Sequence, residues 1–535
     1  MTRALRRHLV AVAVVAALAS LTLASSLSPA VAAPARSGTT VTAVISADPP
    51  SLDPALGFDP ISWSFIHASF VTLLTFNNSI SIVPWGASGM PSVSGGGRVY
   101  TFHLRRGLVF SDGEPVTAQD YAAAITRILN PRTKSLLMAF YQIIAGATAY
   151  SDHRARSVSG IQVLGADTLR FTLVRPDRTF LDIMAIPNAS AVPPKVIARN
   201  SAQFGLHPVG DGPYVVQSYV PGREITLVKN PTYFEAKQVS VQRIEITIGL
   251  TPEVEALRVE NGSADVMMDT VPTPVYIALR TDPRFRAYLH HFTAIADNYV
   301  AFNLTKFPFT SRRVRQAAAY AVDDQQVLRA ISRMGTPLTQ ILAPGMPGFD
   351  PSVEPLGYHP ERARQLLAQA GHARGRGLPV LTFAVATGGF TAGSNVAQVV
   401  QQDLERVGFR VVLRVMAPGA FLSSLGRYPL TMGIYGIDYP DPYDLIASQF
   451  ACSEIAAGNN WQDYCNHAVD RQLNASLGLS LAQSIPVYRR LQAQIFAAFP
   501  WIPLYYQELW YLVNPRIKGF GANPIWPMMF ANWRA

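Results

Sequence analysis

Charged residues and cysteines are both scarce in this sequence. Charged side chains make up 15% of the 535 residues and hydrophobic ones 49%, and there are two cysteines. This combination excludes an intrinsically disordered chain and indicates a well-buried globular protein. Because a single core rarely grows to this length, we expect two or three lobes.

The usual signatures of several enzyme classes are also missing. The sequence has no H-E-x-x-H, no G-x-S-x-G and no G-K-[ST], so it lacks the marks of zinc proteases, serine hydrolases and P-loop proteins. We predict that the protein is not an enzyme, has no catalytic residues and needs no cofactor or metal, a prediction that rests on the family resemblance described below as well as on these missing motifs. A secreted hydrolase is kept as a lesser alternative.

The basic residues form no continuous tract. The formal net charge is +10, but the lysines and arginines are scattered and are not interleaved with aromatic residues. Such a distribution is typical of a solvated basic surface, and nucleic acid is not predicted as a partner.

One long uncharged apolar run, residues 9–27, lies near the N-terminus. Arg3, Arg6 and Arg7 precede it, and Ala30-Val31-Ala32 follows it as an A-x-A site. This order predicts a secretory signal peptide over residues 1–32. An uncleaved membrane anchor is the alternative, since a run of this length can just cross a bilayer.

Cys452 and Cys465 are the two cysteines. An exported protein with a small even number of cysteines favours a disulfide, which would stabilise the fold by roughly 3 kcal/mol for a loop of this length. A metal site with His467 is the alternative, but the spacing matches no zinc pattern. Neither cysteine lies near the signal peptide, so no lipid-anchored N-terminal cysteine is expected.

The middle of the chain changes from strand to loop to helix within residues 298–324. Residues 299–303 have the composition of a buried strand, and Pro308 ends it. Thr310 or Ser311 is expected to cap a helix. Its apolar positions recur at helical spacing and are Val314, Ala317, Ala318, Ala321 and Leu328.

An α/β pattern follows. A strand at 380–385, a helix at 395–407 and a strand at 409–415 predict parallel pairing with a right-handed crossover. The strand 430–435 then enters the loop 436–444, and ligands of open α/β sheets bind outside the carboxyl ends of the strands. This places Asp438, Asp441 and Asp444 near a ligand. For Asp441 and Asp444 we favour a plain surface turn.

Six blocks of the sequence, in the right order, resemble the family 5 extracellular solute-binding proteins, which are the peptide, dipeptide and nickel-binding receptors of ABC importers. The blocks are PPSLDPA at 49–55, YTFHLRRGLVFSDGEPVTAQD at 100–120, VGDGPYVVQSYVPGREITLVKNPTYF at 209–234, NYVAFNLTKFPFTSRRVRQAAAYAVDD at 298–324, IDYPDP at 437–442 and PWIPLYYQELWYLV at 500–513.

The resemblance implies an α/β periplasmic-binding-protein-like fold of type II, in which two main lobes close around a cleft and a small lobe is inserted. Lobe I would comprise residues 39–85, 190–297 and 505–535, the inserted lobe residues 86–189, and lobe II residues 298–504. Hinge crossings are expected near 296–304 and 503–512. The protein would be an exported monomer, periplasmic or extracellular, that delivers its solute to an ABC permease and its ATPase subunits.

The resemblance also implies the site. In peptide-binding relatives the aspartate of the block similar to IDYPDP takes the α-ammonium group of the peptide, a role that falls here on Asp438. Tyr435 and Gly436 would bond to the peptide backbone. The opposite wall would come from Phe58 and Asp59, with Tyr439 and Trp461 as further pocket residues. A non-peptide solute such as a sugar or a metal chelate is the alternative ligand.

Overall fold

The computed structural model describes residues 40–387, 393–521, 523, 525–526 and 528–535. The predicted signal peptide, residues 1–32, lies outside the described residues. Across the residues that are described, no helix is long and apolar enough to cross a membrane.

Strands and helices alternate along most of the chain. The strands are β1 Thr40–Ile45, β2 Leu74–Phe76, β3 Ile82–Pro84, β4 Ser92–Ser94, β5 Val99–His103, β6 Ile161–Gly165, β7 Thr168–Thr172, β8 Tyr214–Val220, β9 Glu224–Lys229, β10 Arg243–Ile248, β11 Val266–Met267, β12 Leu289–Phe302, β13 Gly335–Pro337, β14 Val380–Ala386, β15 Arg410–Met416, β16 Leu430–Gly436 and β17 Trp501–Leu512.

The α-helices are α1 Pro60–Ser69, α2 Ala118–Leu129, α3 Met138–Tyr141, α4 Ala147–Ser151, α5 Phe180–Ile183, α6 Pro194–Asn200, α7 Pro252–Glu260, α8 Thr273–Leu279, α9 Arg312–Ala321, α10 Asp324–Ala330, α11 Pro360–Gln369, α12 Gly393–Val407, α13 Pro418–Leu422, α14 Pro442–Phe450, α15 Ser453–Ala457, α16 His467–Ser476 and α17 Leu481–Phe496. Short 3-10 turns occur at Pro131–Thr133, Pro187–Ala189, Ala236–Gln238, Pro283–Phe285, Ala373–Gly375 and Phe530–Asn532.

A five-stranded sheet contains the first strand of the described chain. Its order is β11-β1-β10-β9-β8, with β1 parallel to both of its neighbours. Strands β8 and β9 form an antiparallel hairpin across the Pro221-Gly222 turn, and Gly222 has the positive φ of +72° that favours glycine there. One face of the sheet packs on α1 and on C-terminal residues that include Tyr511, Ile517 and Trp533 in a single core.

A separate four-stranded sheet, in the order β4-β5-β7-β6, is formed within residues 92–172. Helix α2 packs with it in a second core. Helix α2 begins after Thr117 in a capping box, in which the Asp120 carboxylate accepts a hydrogen bond from the Thr117 backbone N–H at 2.8 Å.

The six-stranded sheet has the order β13-β17-β12-β16-β14-β15. Strands β14 and β15 pair in parallel across α12, as the strand-helix-strand spacing predicts. Strand β16 is parallel to β14 and antiparallel to β12. It therefore brings its carboxyl end, Gly436, to the edge where the loop 436–444 begins.

The helix predicted after residue 311 is shorter than the sequence pattern suggests. It ends at Ala321, and a second helix, α10, carries Leu328. The prediction of one helix through Leu328 is therefore wrong. The reason is Asp323, whose side chain accepts hydrogen bonds from the backbone of Gln325 and Gln326 and so caps a new helix.

Strands β12 and β17 extend from one core into another. Val300 and Ile502 pack in the core of the six-stranded sheet, whereas Phe292 and Tyr511 pack against the core of the five-stranded sheet. Their pairing register shifts between Thr293 and Asp297. The two strands therefore link the cores with an irregular ladder at the point of crossing.

The disulfide is present. Cys452 and Cys465 are bonded, with their Cα atoms 4.6 Å apart. Their sulfur atoms and the His467 ring lie within 4.8 Å of one another. Because both sulfurs are bonded to each other, neither is a thiolate ligand for a metal.

Candidate ligand site

A cavity of about 1010 Å³ lies between residues 136–183 on one side and residues 435–474 on the other. This volume is at the upper end of the range for small-molecule sites. Its wall includes the aromatic residues Phe58, Phe140, Tyr435, Tyr439 and Tyr443. The charged residues in the wall are Arg175, Asp177, Asp438, Asp444 and Glu454.

Asp438 follows the carboxyl end of β16 by two residues. Its side chain is partly buried, and its Oδ2 accepts a long hydrogen bond from the Tyr435 hydroxyl at 3.5 Å. Burial raises the pKa of the Asp438 carboxyl to about 7, against a smaller lowering by the Tyr435 hydrogen bond. A desolvated carboxylate with so weak a partner is well suited to receive a cationic group.

The backbone of Tyr435 and Gly436 pairs with Asp297 and Ala296 on β12. On the other edge of β16, pairing with β14 ends at Thr431 within the described residues. An extended ligand chain can bind along such an edge by backbone hydrogen bonds.

Asp441 and Asp444 are buried, with exposed fractions of 3% and 1%. The prediction that they form a plain surface turn is therefore wrong. Asp441 caps α14 by accepting from the Tyr443 backbone N–H at 2.8 Å, and it also pairs with Arg178. Asp444 accepts from the Asp438 backbone N–H at 2.8 Å. Burial raises the pKa of Asp444 well above its usual value, and the Asp438 charge adds to that rise.

Four of the predicted site residues line this one cavity, namely Phe58, Tyr435, Asp438 and Tyr439. Gly436 instead lines a neighbouring cavity of about 200 Å³, together with Trp63. The smaller cavity adjoins the larger one at the carboxyl end of β16, where Tyr435 lines the larger cavity and Gly436 lines the smaller one.

The structure does not bring Asp59 and Trp461 to either cavity wall. Asp59 caps α1, because its Oδ1 accepts from the Ser62 backbone N–H at 2.8 Å. The Trp461 ring packs on Phe421 at a centroid distance of 5.9 Å, and its Nε1 donates to the Gly458 carbonyl at 3.0 Å. Both side chains thus serve local structure.

The sequence reasoning missed the wall formed by residues 136–183. Arg175, Asp177 and Thr179 line the cavity from a loop that directly follows β7. Burial raises the pKa of Asp177, against the lowering effect of the Thr179 hydroxyl. The cluster of charges around Pro176 was the signal that the sequence offered.

The two adjacent histidines occupy different surroundings. His290 contacts the Phe520 ring at 5.6 Å, whereas His291 stacks on Trp510 at 4.8 Å. Adjacent strand residues point to opposite faces, so these rings do not form a common ligand set.

Comparison with known proteins gives a consistent family match. The model of the bacterial extracellular solute-binding proteins, family 5, matches residues 81–457. Di/tripeptide-binding protein 2 of Pseudomonas aeruginosa (strain UCBPP-PA14) is 25% identical over 495 residues, which cover 88% of this chain and 91% of that protein. The probable deoxycholate-binding periplasmic protein YgiS of Escherichia coli (strain K12) is 28% identical, with 88% and 89% covered.

Among solved structures, the clavulanic acid biosynthesis oligopeptide binding protein 2 matches with a TM-score of 0.83. The two sequences are 23% identical, and the match covers 92% of this chain and 94% of that one. This likeness confirms the predicted fold, the type II fold of periplasmic oligopeptide-binding proteins.

Proposed function

The chain belongs to the bacterial extracellular solute-binding proteins of family 5, and we propose that its solute is a peptide held by its α-ammonium group at Asp438. As a member of this family the protein is an extracytoplasmic binding receptor and not an enzyme. The proposal concerns which solute it takes and which residues hold it.

The proposal rests mainly on the position and surroundings of the Asp438 carboxylate. It lines the cavity at a strand end, it is desolvated enough for its pKa to rise to about 7, and Tyr435 donates to it only at 3.5 Å. A primary ammonium group offers three N–H donors and a charge to such a carboxylate. Every unmodified linear peptide carries this group, whatever its side chains.

The backbone next to Asp438 favours a peptide over other cationic ligands. Within the described residues, β16 pairs with β14 up to Thr431. Tyr435 and Gly436 lie beyond that point, toward the end of β16. Backbone pairing grips an extended chain of any sequence, and the roomy cavity can take varied side chains. The di/tripeptide-binding relative and the oligopeptide-binding structural neighbour add weight to this choice.

A non-peptide solute is the second candidate. The relative named as a probable deoxycholate-binding protein favours it, as does the smaller cavity beside Gly436, whose wall includes Trp63, Phe292 and Trp526. An apolar ligand without an ammonium group would use that cavity and would not depend on Asp438. A sugar or a metal chelate belongs to the same alternative.

We also propose the lobes and the hinge that the family resemblance implies. Lobe I would be residues 39–85, 190–297 and 505–535, with 86–189 inserted and 298–504 as lobe II. The separate cores on either side of the β12 and β17 crossing support this division. Closure would be a hinge motion of these strands, with the closed form favoured by contacts to the ligand.

The same proposal includes export and delivery. The signal peptide 1–32 would be removed after Ala32, leaving a monomer in the periplasm or outside the cell without a lipid anchor. The loaded receptor would dock on an ABC permease, whose ATPase subunits drive import. A basic N-terminus, an apolar run and an A-x-A site support this reading.

Native mass spectrometry of the freshly purified protein tests the proposed solute. The released material is fragmented, and a parallel preparation carries Asp438→Asn, which keeps the size of the side chain but removes its charge. We expect a series of co-purified peptides from the natural protein and few from the variant. A sugar, a chelate or a bile acid in place of peptides would refute the proposal.

A further inference from the structure

Arg178 joins the two walls of the large cavity. It lies between β7 and α5, beside Asp177 and Thr179, which line the cavity from that side. Its Nη1 donates to Asp441 Oδ2, and its Nη2 donates to Asp441 Oδ1 at 3.1 Å. The two side chains are 15% and 4% exposed, so water screens this ion pair far less than a surface pair.

Other hydrogen bonds attach the same segment to the helices behind the ligand loop. Arg178 Nη2 also donates to the Tyr488 hydroxyl at 2.7 Å, and the Arg178 backbone N–H donates to the Leu477 carbonyl at 3.0 Å. Arg175 Nη1 donates to Asn474 Oδ1 at 2.7 Å. Residues 175–178 are therefore held to α16, α17 and the turn between them.

Asp441 belongs to the same short loop as Asp438. Within that loop the Asp441 carboxylate caps α14 through the Tyr443 backbone N–H. The Asp444 carboxylate accepts the Asp438 backbone N–H. The loop is thus held by two carboxylates, one at its end and one in the first turn of α14, and Arg178 bonds it to the opposite wall.

We propose that Arg178 is a positioning residue for ligand capture, which holds the loop 438–444 against the opposite wall and so keeps the Asp438 carboxylate in place over the cavity. This inference rests on the proposed function, because it takes Asp438 as the group that meets the ligand. A ligand between the walls is enclosed while Arg178 and Asp441 are paired. Its release requires the pair to separate.

Hydrogen exchange in the ligand-free protein tests whether Arg178 holds the loop. The variant Arg178→Gln removes the charge and the bidentate geometry. The matched control is Arg127→Gln, since Arg127 forms an equally bidentate and buried pair with Asp53, at 2.6 and 2.5 Å, that lines neither cavity described above.

We expect the backbone amides of residues 438–444, other than those of the two prolines, which have none, to exchange about tenfold faster or more in Arg178→Gln, because the loop opens without global unfolding. In Arg127→Gln these amides are expected to exchange as in the natural protein. Equal exchange of these amides in all three proteins would overturn the proposal.

The rate of ligand release is the second measurement. It would stay unchanged if Arg178 had only a structural role. Each protein is loaded with a synthetic library of tripeptides to pentapeptides, and bound peptide is followed by native mass spectrometry after dilution. We expect release from Arg178→Gln to be about tenfold faster or more, with Arg178→Lys intermediate, because lysine keeps the charge but not the paired hydrogen bonds.

The outcomes distinguish a failure of the role proposed for Arg178 from a failure of the proposed function. Release from Arg178→Gln at the rate of the Arg127→Gln control would refute a role in capture. Failure of the natural protein to retain any library peptide would refute the proposed function, and the exchange measurement would then decide by itself whether Arg178 holds the loop.

Discussion

The Asp438 backbone N–H donates to the Asp444 carboxylate over 2.8 Å, so one acidic residue fixes the position of another. Asp444 is 1% exposed, and burial together with the nearby Asp438 charge raises its pKa well above the usual value. The rise favours the protonated form of Asp444. The Asp444 carboxylate is engaged by the loop backbone, whereas the Asp438 carboxylate accepts a long hydrogen bond from Tyr435 at 3.5 Å, so Asp438 is the member of the pair that we propose to meet an incoming cation.

Replacing Asp438 with alanine tests its role as the anchor. In the natural complex the ammonium group would be taken out of water and paired with this carboxylate. We expect Asp438→Ala to weaken binding by roughly 3 to 5 kcal/mol, the cost of leaving a buried charge without its partner. Isothermal titration calorimetry with a peptide identified from the purified protein measures the change.

Asp59→Asn is the control for that experiment. Asp59 is another acid expected in the wall from sequence, but it caps α1, so its change is expected to leave the affinity within experimental error. An affinity that survives Asp438→Ala would show that the anchor lies elsewhere.

The dependence of binding on pH follows from the raised pKa of Asp438. That pKa is about 7 in the free protein because of burial, and an ammonium ligand favours the ionised form. Binding near pH 6 must therefore expel a proton, so affinity should rise as the pH increases from 6 to 7. Because a peptide α-amino group itself loses its proton at about 7.7 to 8.0, affinity should fall again above pH 8.

Calorimetry in buffers with different ionisation enthalpies measures the released proton directly. At pH 6 we expect a measurable fraction of a proton released per peptide bound, and in Asp438→Asn none from this site. Proton release of equal size in both proteins would assign it to another group.

Sequence patterns predicted the local structure well where a single segment determined it. Strand β16 ends at Gly436, one residue beyond the strand 430–435 that the sequence predicts, and β14 and β15 pair in parallel as their spacing requires. The position of Asp438 beyond a strand end also followed from the local order of elements. Each of these features depends on residues close together in the chain.

The burial of Asp441 depends on a partner far away in the sequence. Arg178 precedes it by 263 residues, and no local pattern connects the two. An aspartate-proline pair by itself is typical of an exposed turn, which is why the surface prediction failed. The opposite wall of the cavity was missed for the same reason, since residues 136–183 reach it only through tertiary packing.

Asp211 is expected to make stability depend on pH. It is 2% exposed, and burial raises its pKa to about 8, against the lowering by the hydrogen bond from the Val71 backbone at 2.9 Å. A carboxyl whose folded pKa is raised adds stability that is fully present below its unfolded pKa near 3.9 and is lost as the pH rises through 8. Its contribution declines by about 1.4 kcal/mol per pH unit over that window.

Asn at position 211 can accept the same hydrogen bond without titrating. We therefore expect the unfolding free energy of Asp211→Asn, from urea denaturation at pH 5 and 7.5, to fall less between the two values than that of the natural protein. Asp112→Asn, at an exposed turn, is the control. Parallel pH dependence of Asp211→Asn and the natural protein would exclude Asp211 as the cause.

The disulfide joins Cys452, directly before α15, to Cys465, two residues before α16, and encloses a segment that also faces the cavity. Ser453, Glu454 and Asn459 line the cavity from between Cys452 and Cys465. Closing this loop should stabilise the native state by roughly 3 kcal/mol, since the crosslink restricts the unfolded chain. We expect reduction, or the paired change Cys452→Ser and Cys465→Ser, to lower the unfolding free energy by that amount.

A second effect of losing the disulfide concerns the ligand. Because the enclosed segment forms part of the cavity wall, a looser segment should weaken peptide binding in addition to lowering stability. Urea denaturation and calorimetry, each with and without reductant, separate the two effects, and the double serine variant should no longer respond to reductant. Unchanged affinity after complete reduction would show that the disulfide is not needed to hold the segment between Cys452 and Cys465 in the cavity wall.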